Sequence, residues 1–240
     1  MATLSTIRTR VQSHWPTNYH SSYLTDAKTN EYINAIQREI CRSFNFSWLK
    51  QEVEQDTVDE QRKYALPTAG DANWTEVEGG TVRLYKDEVA LDLVNVNNAS
   101  VNLTKMHKKD IENEPRWSDL DDKGTPSVYA IEQGYIWFFD KPSHEANSNS
   151  AWTISLEFYG YLADLSADDD TNEITNKYPK VLEFGAAAEG LRYGKDFEEA
   201  EYWEGKAADI VAQMLREDMI EEYGTIEVGL RPAPGQKLGA

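Results

Sequence analysis

The sequence predicts an α+β fold in which helices from both chain ends form one bundle and an antiparallel β-domain, sandwich or barrel-like, is inserted between them. Apolar residues recur with helical spacing up to residue 49 and again after residue 162, whereas a period of two dominates the region between. A change from one period to the other and back indicates helices interrupted by strands. We therefore divide the chain into four segments: N-terminal helices at 1–49, a β-rich domain at 50–161, C-terminal helices at 162–224 that complete the bundle, and an extended tail at 225–240.

The β-domain is centred on the stretch from Lys123 to Tyr161, where three runs of β-branched and aromatic residues lie between turn signals. Such runs predict consecutive antiparallel strands. Glu132-Gln133-Gly134 is expected to form the first turn, since glycine tolerates the positive φ of a tight reversal. The middle run, Tyr135 to Phe139, is apolar on both faces and should be an interior strand. In the last run, alternation predicts one core-facing set: Trp152, Ile154, Leu156 and Phe158.

Two hairpins and a fifth strand are predicted before that stretch. The first hairpin would pair 51–58 with 62–67 around Asp59-Glu60, and the second would pair 74–78 with 81–85 around Gly79-Gly80. The fifth strand is indicated by the alternation of Val89, Leu91 and Leu93. A short helix at 105–113 contains the basic residues Lys105, His107, Lys108 and Lys109, for which a solvated face is favoured over a specific anion site.

Four longer helices are predicted, two at each end of the chain. The first contains Leu4, Ile7 and Val11, and the second, capped by Thr25 or Asp26, has an apolar stripe of Ile33, Ile36, Ile40 and Phe44. The third, 178–193, is rich in small residues, which permit close approach of another helix. The fourth, 197–223, is amphipathic, and its expected core stripe is Trp203, Ala207, Ile210, Met214 and Met219.

The charge balance is strongly acidic, with a formal net charge of −18 and an isoelectric point near 4.6. Such a surface repels the nucleic-acid backbone and anionic membranes, which argues against ordinary DNA binding. No apolar run approaches the length of a membrane span. The single cysteine, Cys41, excludes an internal disulfide, indicates a reducing compartment and is expected to be buried filler rather than a nucleophile.

Known catalytic motifs are missing from the sequence, which contains no phosphate-binding glycine loop, zinc-protease helix or serine-nucleophile elbow. The histidines are scattered without the spacing of metal ligands: His14, His20, His107 and His144. The acidic run Asp168 to Asp170 lacks the alternation, glycine and terminal glutamate of a calcium loop. We therefore predict no enzyme activity, no cofactor and no metal. A carbohydrate-binding or carbohydrate-active β-domain stays as an alternative, because aromatic strands and abundant acids suit it.

The order of several segments carries a family resemblance. A helix containing Asn-Glu-Tyr-Ile-Asn-Ala-Ile ends in Phe44-Asn-Phe-Ser-Trp48 and is followed by Arg62-Lys-Tyr-Ala-Leu-Pro67. Gly124-Thr-Pro-Ser-Val-Tyr129 then leads into an aromatic strand that closes on Asp140-Lys-Pro142. Leu156-Glu-Phe-Tyr-Gly-Tyr-Leu162 and a Tyr-Pro-Lys-Val-Leu-Glu helix with an alanine-rich continuation follow. This arrangement resembles the head-to-tail adaptor (head-completion) proteins of tailed bacteriophages over roughly residues 3–219.

The resemblance implies a structural protein of the virion neck, made in the host cytoplasm, which forms a homo-oligomeric ring, a dodecamer, beneath the portal. Its partners would be the portal protein and tail or tail-tube proteins, and DNA would thread the lumen without sequence-specific binding. An acidic bore would let DNA slide, so the candidate channel-facing acids are Glu198, Glu199, Glu201 and Glu204. In such a ring, the small-residue helix at 178–193 would allow tight contacts between neighbouring subunits.

The tail from Gly229 to Ala240 is rich in proline and glycine and should remain extended. By the same resemblance, it is expected to lock the ring to the portal, with candidate contacts at Leu230, Arg231, Pro232, Pro234 and Leu238. A tail-tube or neck protein one layer further down is the alternative within the virion.

Overall fold

A computed structural model describes residues 1–16, 24–113 and 123–223 and shows the α+β fold that the sequence predicts. The four long helices lie at the two chain ends, as expected, and two short helices accompany them. In chain order the helices are α1 (Leu4–Ser13), α2 (Asp26–Ser43), α3 (Lys108–Glu112), α4 (Glu173–Lys177), α5 (Pro179–Tyr193) and α6 (Phe197–Tyr223).

The helix ends follow from local chemistry. The Thr3 and Thr25 hydroxyls accept from backbone N–H groups in the first turns of α1 and α2, so each satisfies a donor that has no partner within its helix. Asn172 forms a capping box with Thr175 at the start of α4. Pro179 opens α5, where its missing N–H costs nothing. Lys195, at φ 65°, separates α5 from α6.

Within the described residues, the strands form three sheets. In chain order they are β1 (Lys50–Asp56), β2 (Lys63–Ala65), β3 (Thr75–Glu76), β4 (Leu84–Val94), β5 (Ser100–Val101), β6 (Thr104–Lys105), β7 (Lys123–Gly124), β8 (Val128–Glu132), β9 (Tyr135–Phe139), β10 (Lys141–Pro142) and β11 (Thr153–Tyr161). A five-stranded sheet has the order β3-β1-β11-β4-β5, and a four-stranded sheet has the order β2-β9-β8-β6. Most pairings are antiparallel, but β6 with β8 and β7 with β10 are parallel.

Both hairpins predicted before residue 86 are wrong. Strand β1 pairs with β11 over its whole length, and the chain then turns at Glu60, with φ 57°, into β2 of the other sheet. Strand β3 pairs with β1, and β4 runs from Leu84 through the predicted fifth strand and pairs with β11. Alternation identifies the buried face of a strand, but it does not identify the strand's partner.

The three consecutive antiparallel strands expected between Lys123 and Tyr161 are confirmed in part. Strands β8 and β9 form the predicted hairpin, whose turn has positive φ at both Gln133 and Gly134. Strand β9 lies inside its sheet, between β2 and β8, as expected. Strand β11 belongs to the other sheet. Its buried face is nevertheless the predicted one, since every second residue from Trp152 to Phe158 is buried.

The two larger sheets share one apolar core. Side chains of the five-stranded sheet, including Leu93 and Phe158, pack with side chains of the four-stranded sheet, including Tyr64 and Phe138. Both sheets keep open edges in the part of the chain that the structure describes, so the barrel-like alternative is wrong. This arrangement buries one face of each sheet against the other, as in a sandwich.

A second core unites the two chain ends. Its members come from α1, α2, the turn at Ser47–Leu49 and the helices after residue 162, and Tyr159 and Tyr161 of β11 pack against it. Phe46 is fully buried there and stacks on Trp48, with 4.9 Å between ring centroids. The four-segment division of the chain stays a prediction, and its last segment lies outside the described residues.

Helix α5 is the central element of this bundle. A Cβ atom at Gly190 would lie 2.3 Å from Cζ2 of Trp15, and one at Gly185 would lie 2.9 Å from Cγ1 of Ile36. Trp15 also donates from Nε1 to the buried Ala187 carbonyl at 3.0 Å. The small residues of α5 therefore permit the close helix approach that the sequence predicts, and they do so for α1 and α2 of the same chain.

Two sequence-based expectations about the helices need correction. The small residues Ala186, Ala187 and Ala188 are buried within the chain, so they are not available for contacts between subunits. In α6 the predicted core stripe holds as far as Met214, which is buried, but Met219 is 58% exposed. Met219 points outward because the spacing from Met214 is five residues, which rotates it away from the buried face.

We predict that Gly190→Ala lowers the free energy of unfolding by about 1–3 kcal/mol, because the new methyl group overlaps the buried indole of Trp15. Urea denaturation of the full chain measures this. The control is Gly205→Ala in α6, where a Cβ meets nothing within 4 Å and stability should rise by up to about 1 kcal/mol. Equal effects at the two positions would contradict the packing described for α5.

Candidate functional site

The four candidate channel-facing acids lie in the first two turns of α6, and all are exposed. They do not share one face of the helix, since their positions spread around it at 100° per residue. Glu199 accepts from Nε1 of Trp203 at 3.0 Å, and Glu204 pairs with Arg192 at the end of α5. Glu198 and Glu201 have no charged partner among the described residues and face away from the bundle core.

The outward face of α6 is the set of exposed residues opposite its buried stripe: Tyr202, Gly205, Asp209, Ala212, Arg216 and Ile220. Tyr202 is 54% exposed and Ile220 47% exposed, and Met219 lies beside this face. Small residues alternate with the charged Asp209 and Arg216 along the middle of the face, and large apolar residues lie at its ends. Sequence analysis missed this face because it searched for the buried stripe, although the same helical spacing defines both.

Helices α2 and α6 run parallel to each other, because both are antiparallel to α5. Near one end of α5, Glu204 pairs with Arg192, and near the other, the Tyr178 hydroxyl donates to Glu217 at 2.5 Å. Between α2 and α6 lies a groove of about 220 Å³. Its α2 wall is Ile36, Glu39 and Ile40, and its α6 wall is Glu204, Ala207, Ala208 and Val211.

A larger cleft, of about 1060 Å³, opens on the other flank of α2. It is bounded by Ala35, Arg38 and Arg42 of α2, by Val82 to Leu84 before and at the start of β4, and by the segment after β11. Arg38 pairs with Asp164 at 3.3 Å, whereas the exposed Arg42 has no ion pair within the described ranges. The lining mixes apolar and charged side chains, and its arginines are balanced by the acids Glu39, Asp164 and Glu173.

Buried polar contacts join the bundle to the sheets. Asp218, on the inner side of α6, accepts from the Ser47 amide at 3.0 and 3.1 Å and from the Ser47 hydroxyl at 2.5 Å. Arg83 donates to the Trp48 carbonyl at 2.9 Å and pairs with Glu173 at 2.7 Å. These contacts fix the point where the chain leaves the bundle for β1.

Lys86 of β4 makes a second connection, at the C-terminal end of α2. Its Nζ donates to the carbonyls of Cys41 and Phe44 at 2.6 and 2.8 Å and to Oδ1 of Asn45 at 2.7 Å. A cation there satisfies carbonyls that have no partner within the helix. Burial lowers the pKa of the Lys86 ammonium and raises the pKa of the Cys41 thiol, which is buried as expected.

Comparison with known proteins agrees with this architecture. A family model described as SU10 adaptor protein matches residues 2–229, which include the helices of the bundle and the β-region. The chain belongs to this family of phage head-to-tail adaptors. No curated protein sequence matches the adaptor.

The basic residues near α3 do not converge on a common anion site in the adaptor. Lys105 pairs with Glu88 at 2.5 Å, and Lys108 pairs with Glu112 at 3.7 Å. His107 lies 4.0 Å from Glu132. Three of the four basic groups thus have an acidic neighbour each, and Lys109 is exposed, which agrees with the solvated face favoured by the sequence.

The half-exposed aromatic rings of β9 are covered by lysines of the same chain. Nζ of Lys63 lies 3.5 Å from the ring centroid of Tyr135, and Nζ of Lys108 lies 3.8 Å from that of Trp137. A sugar ring that stacks on an aromatic side chain needs an open ring face. This surface of the adaptor therefore gives no support to the carbohydrate-binding alternative.

The remaining candidate ligands and titratable groups have structural contacts. His14 lies 2.8 Å from Glu183 and packs on Trp203. Asp168 pairs with Arg8 at 2.9 Å, and Asp170 accepts from the amides of Ser166 and Ala167, which hold the pKa of its carboxyl below the usual value. Across residues 1–16, 24–113 and 123–223, no group of three or more possible metal ligands comes together.

Some of the predicted site residues lie in parts of the chain that the structure does not describe. His20 and the candidate portal-contact residues lie outside the described residues: Leu230, Arg231, Pro232, Pro234 and Leu238. None of the helices in the described ranges combines the length and apolarity that crossing a bilayer requires. The tail assignment therefore stays a prediction from the family resemblance.

We predict that Asp218→Ala destabilises the adaptor by about 1–3 kcal/mol, because it leaves the Ser47 amide and hydroxyl without their acceptor in a largely buried position. Thermal and urea unfolding measure the change. Asp209→Ala, on the exposed face of the same helix, is the matched control and should change stability by no more than about 0.5 kcal/mol. A loss no larger at Asp218 than at Asp209 would show that this contact does not hold the junction.

Proposed function

We propose that this adaptor forms a homo-oligomeric ring, a dodecamer, between the portal and the tail, and that the ring continues the DNA channel. The observation that carries the proposal is the family match, which extends over residues 2–229. Its partners are the portal protein on one side and tail or tail-tube proteins on the other. The ring acts as a structural connector of the virion neck rather than as an enzyme.

The two-core architecture supports this role. The bundle core and the core between the sheets are separate, and Asp218, Arg83 and Lys86 join them at one junction. A connector must present different surfaces to two different partners, and two separately packed parts can do so without sharing residues. We assign the bundle to the portal side and the sheets to the outer or tail side of the ring.

The charge distribution supports passage of DNA without binding. The chain has a net charge of −18, and α6 alone carries nine acidic and two basic residues. Glu198 and Glu201 are the acids of the candidate set that have no charged partner among the described residues, so they are the channel-facing pair that we favour. Anionic side chains give the phosphate backbone no attractive contact, and DNA can move past them.

We predict that Glu198→Lys combined with Glu201→Lys slows genome ejection, because the new cations attract phosphates, and that the delay shrinks as salt rises. Ejection from purified phage, triggered at several salt concentrations, measures the rate. The reversed charges at the N-terminus of α6 should cost folding stability only about 0.3–1 kcal/mol each. A matched variant with Glu52→Lys and Glu54→Lys on β1 should leave ejection unchanged. Ejection at the wild-type rate at every salt concentration would show that these two acids do not line the channel.

We predict that the full-length adaptor binds its portal as a ring and that deletion of residues 229–240 weakens this binding without changing the melting temperature. The tail lacks the apolar content that folding needs, and it can gain order from a partner that supplies contacts. Mass photometry and electron microscopy of portal mixtures measure copy number and binding. A full-length chain that joins tail-tube complexes but not portals would favour the alternative, a tail-tube or neck protein one layer further down. Normal portal binding by the truncated chain would assign docking to the helices.

A further inference from the structure

The loops at the end of the β-region farthest from the bundle form one surface, which we call the distal tip: residues 57–62, 95–99 and 140–151. Strand β1 begins opposite Tyr159, which packs on the bundle, and ends opposite Thr153. Its seven residues carry the chain about 20 Å away from the bundle, at roughly 3.3 Å per residue. The loops of the distal tip connect the strands that end or begin there.

Unusual backbone conformations are concentrated in the distal tip. Among the described residues, seven residues other than glycine have positive φ, a conformation that is unfavourable for a residue with a Cβ atom. Five of these seven belong to the distal tip: Glu60, Asn98, Asp140, Ser148 and Asn149. Such conformations persist only where the surrounding contacts enforce them, and they cluster at functional sites.

Buried polar contacts hold the loops of the distal tip together. Asn147 is only 3% exposed, and its Oδ1 accepts from the Val96 amide at 2.9 Å, while its Nδ2 donates to the Ala151 carbonyl at 2.6 Å. The side chain of Asp59 accepts from the His144 amide at 2.8 Å. Each loop is therefore joined to another, and the distal tip has a fixed shape before it meets a partner.

Two of the three loops are poor in charge, unlike the rest of the chain. Within residues 95–99 and 143–151 the only charged residue is Glu145, whereas charged residues make up 28% of the chain. The exposed side chains there are mostly amides and hydroxyls, among them Asn97, Asn98, Ser148 and Asn149. An acidic chain repels other acidic surfaces, and this repulsion is weakest where the charges are fewest.

Two apolar side chains are exposed in the same surface. Val58 is 55% exposed and Val96 is 50% exposed, and the loops that carry them both contact the 140–151 loop. Single exposed valines are ordinary on a soluble protein. A fixed surface with few charges and exposed apolar groups, however, has the composition found at the centre of protein–protein interfaces.

We propose, resting on the function proposed above, that the distal tip is the surface with which the adaptor binds a protein on the tail side of the neck. The contacting surface of that protein is uncharged, with hydrogen-bonding groups opposite the exposed amides and an apolar patch over Val58 and Val96. A preformed surface loses little conformational entropy on binding, so the enforced backbone of the distal tip favours the contact. Its distance from the bundle leaves it free when the bundle contacts the portal.

Charged substitutions in the full-length chain test the proposal. Val58→Asp and Val96→Asp are combined, rings are assembled on the portal, and tails released from the same phage are added in increasing amounts. Electron microscopy counts the attached tails. We expect attachment to weaken at least tenfold, because the contact would bury two carboxylates without partners. Portal binding and the melting temperature should stay close to wild type, since both positions are exposed in the free chain.

The matched control combines Val77→Asp with Val89→Asp, which adds the same charge outside the distal tip. These valines are 49% and 38% exposed, and both lie near the level of Glu52, in the half of the sheet nearer to the bundle. Tail attachment should remain at the wild-type level. Equal losses in the control and in the distal-tip variant would trace the effect to net charge and overturn the proposal.

A second variant tests the fixed shape of the surface. Asn147→Ala removes the contact between the 95–99 and 143–151 loops without changing an exposed side chain. We expect faster amide hydrogen exchange in both loops, unchanged exchange in the bundle, and tail attachment that is weaker by several-fold. Faster exchange with wild-type attachment would overturn the preformed surface as the basis of binding.

The outcomes separate this inference from the proposed function. A Val58/Val96 variant that binds tails as the wild type does overturns the distal tip as the docking surface and leaves the ring intact. A variant that no longer assembles on the portal also overturns it, in favour of contacts with the portal or with neighbouring subunits. A wild-type chain that forms no ring but binds tails through these two valines overturns the ring and supports the distal tip. A wild-type chain that binds neither portal nor tail overturns both.

Discussion

The close packing of α5 against Trp15 and Ile36 is the contact on which the rest of the adaptor depends. It brings residues from the first 50 positions into one core with the last helices, although more than 100 residues, which include all the strands, intervene. Only glycine at 185 and 190 leaves room for these side chains. Because α2 and α6 both pack antiparallel to α5, this contact also sets their parallel direction and their relative height.

The packing of the bundle also determines how the β-region is attached to it. The chain leaves the bundle at Ser47, whose amide and hydroxyl are held by Asp218 near the far end of α6. Lys86 then returns from β4 to close the end of α2. Buried polar contacts of this kind specify orientation more than they add stability, because their desolvation offsets much of the gain. A connector between two partners benefits from a defined angle between its two parts.

Sequence alone predicts the helices and the buried face of β11 well, because spacing along one segment determines them. It predicts the local pairing of β8 with β9 but fails for β1 and β4, since these strands find their partner about 70–100 residues away in β11. The junction between the bundle and the β-region was also not predictable. In the sequence, Asp218 is one acid among many, and only the folded structure brings it next to Ser47. The acids at 198–204 were predicted as one set, but the turn of the helix gives Glu199 and Glu204 partners of their own.

The central proposal is that this adaptor forms a ring of identical subunits between the portal and the tail, with the acids at the start of α6 toward the lumen. A reconstruction of the neck in intact virions, at a resolution that shows side chains, tests it most directly. The account predicts one ring of this chain between portal and tail, with Glu198 and Glu201 toward the lumen. A chain located elsewhere in the particle, or a ring in which Glu198 and Glu201 lie on the outer surface, would contradict it.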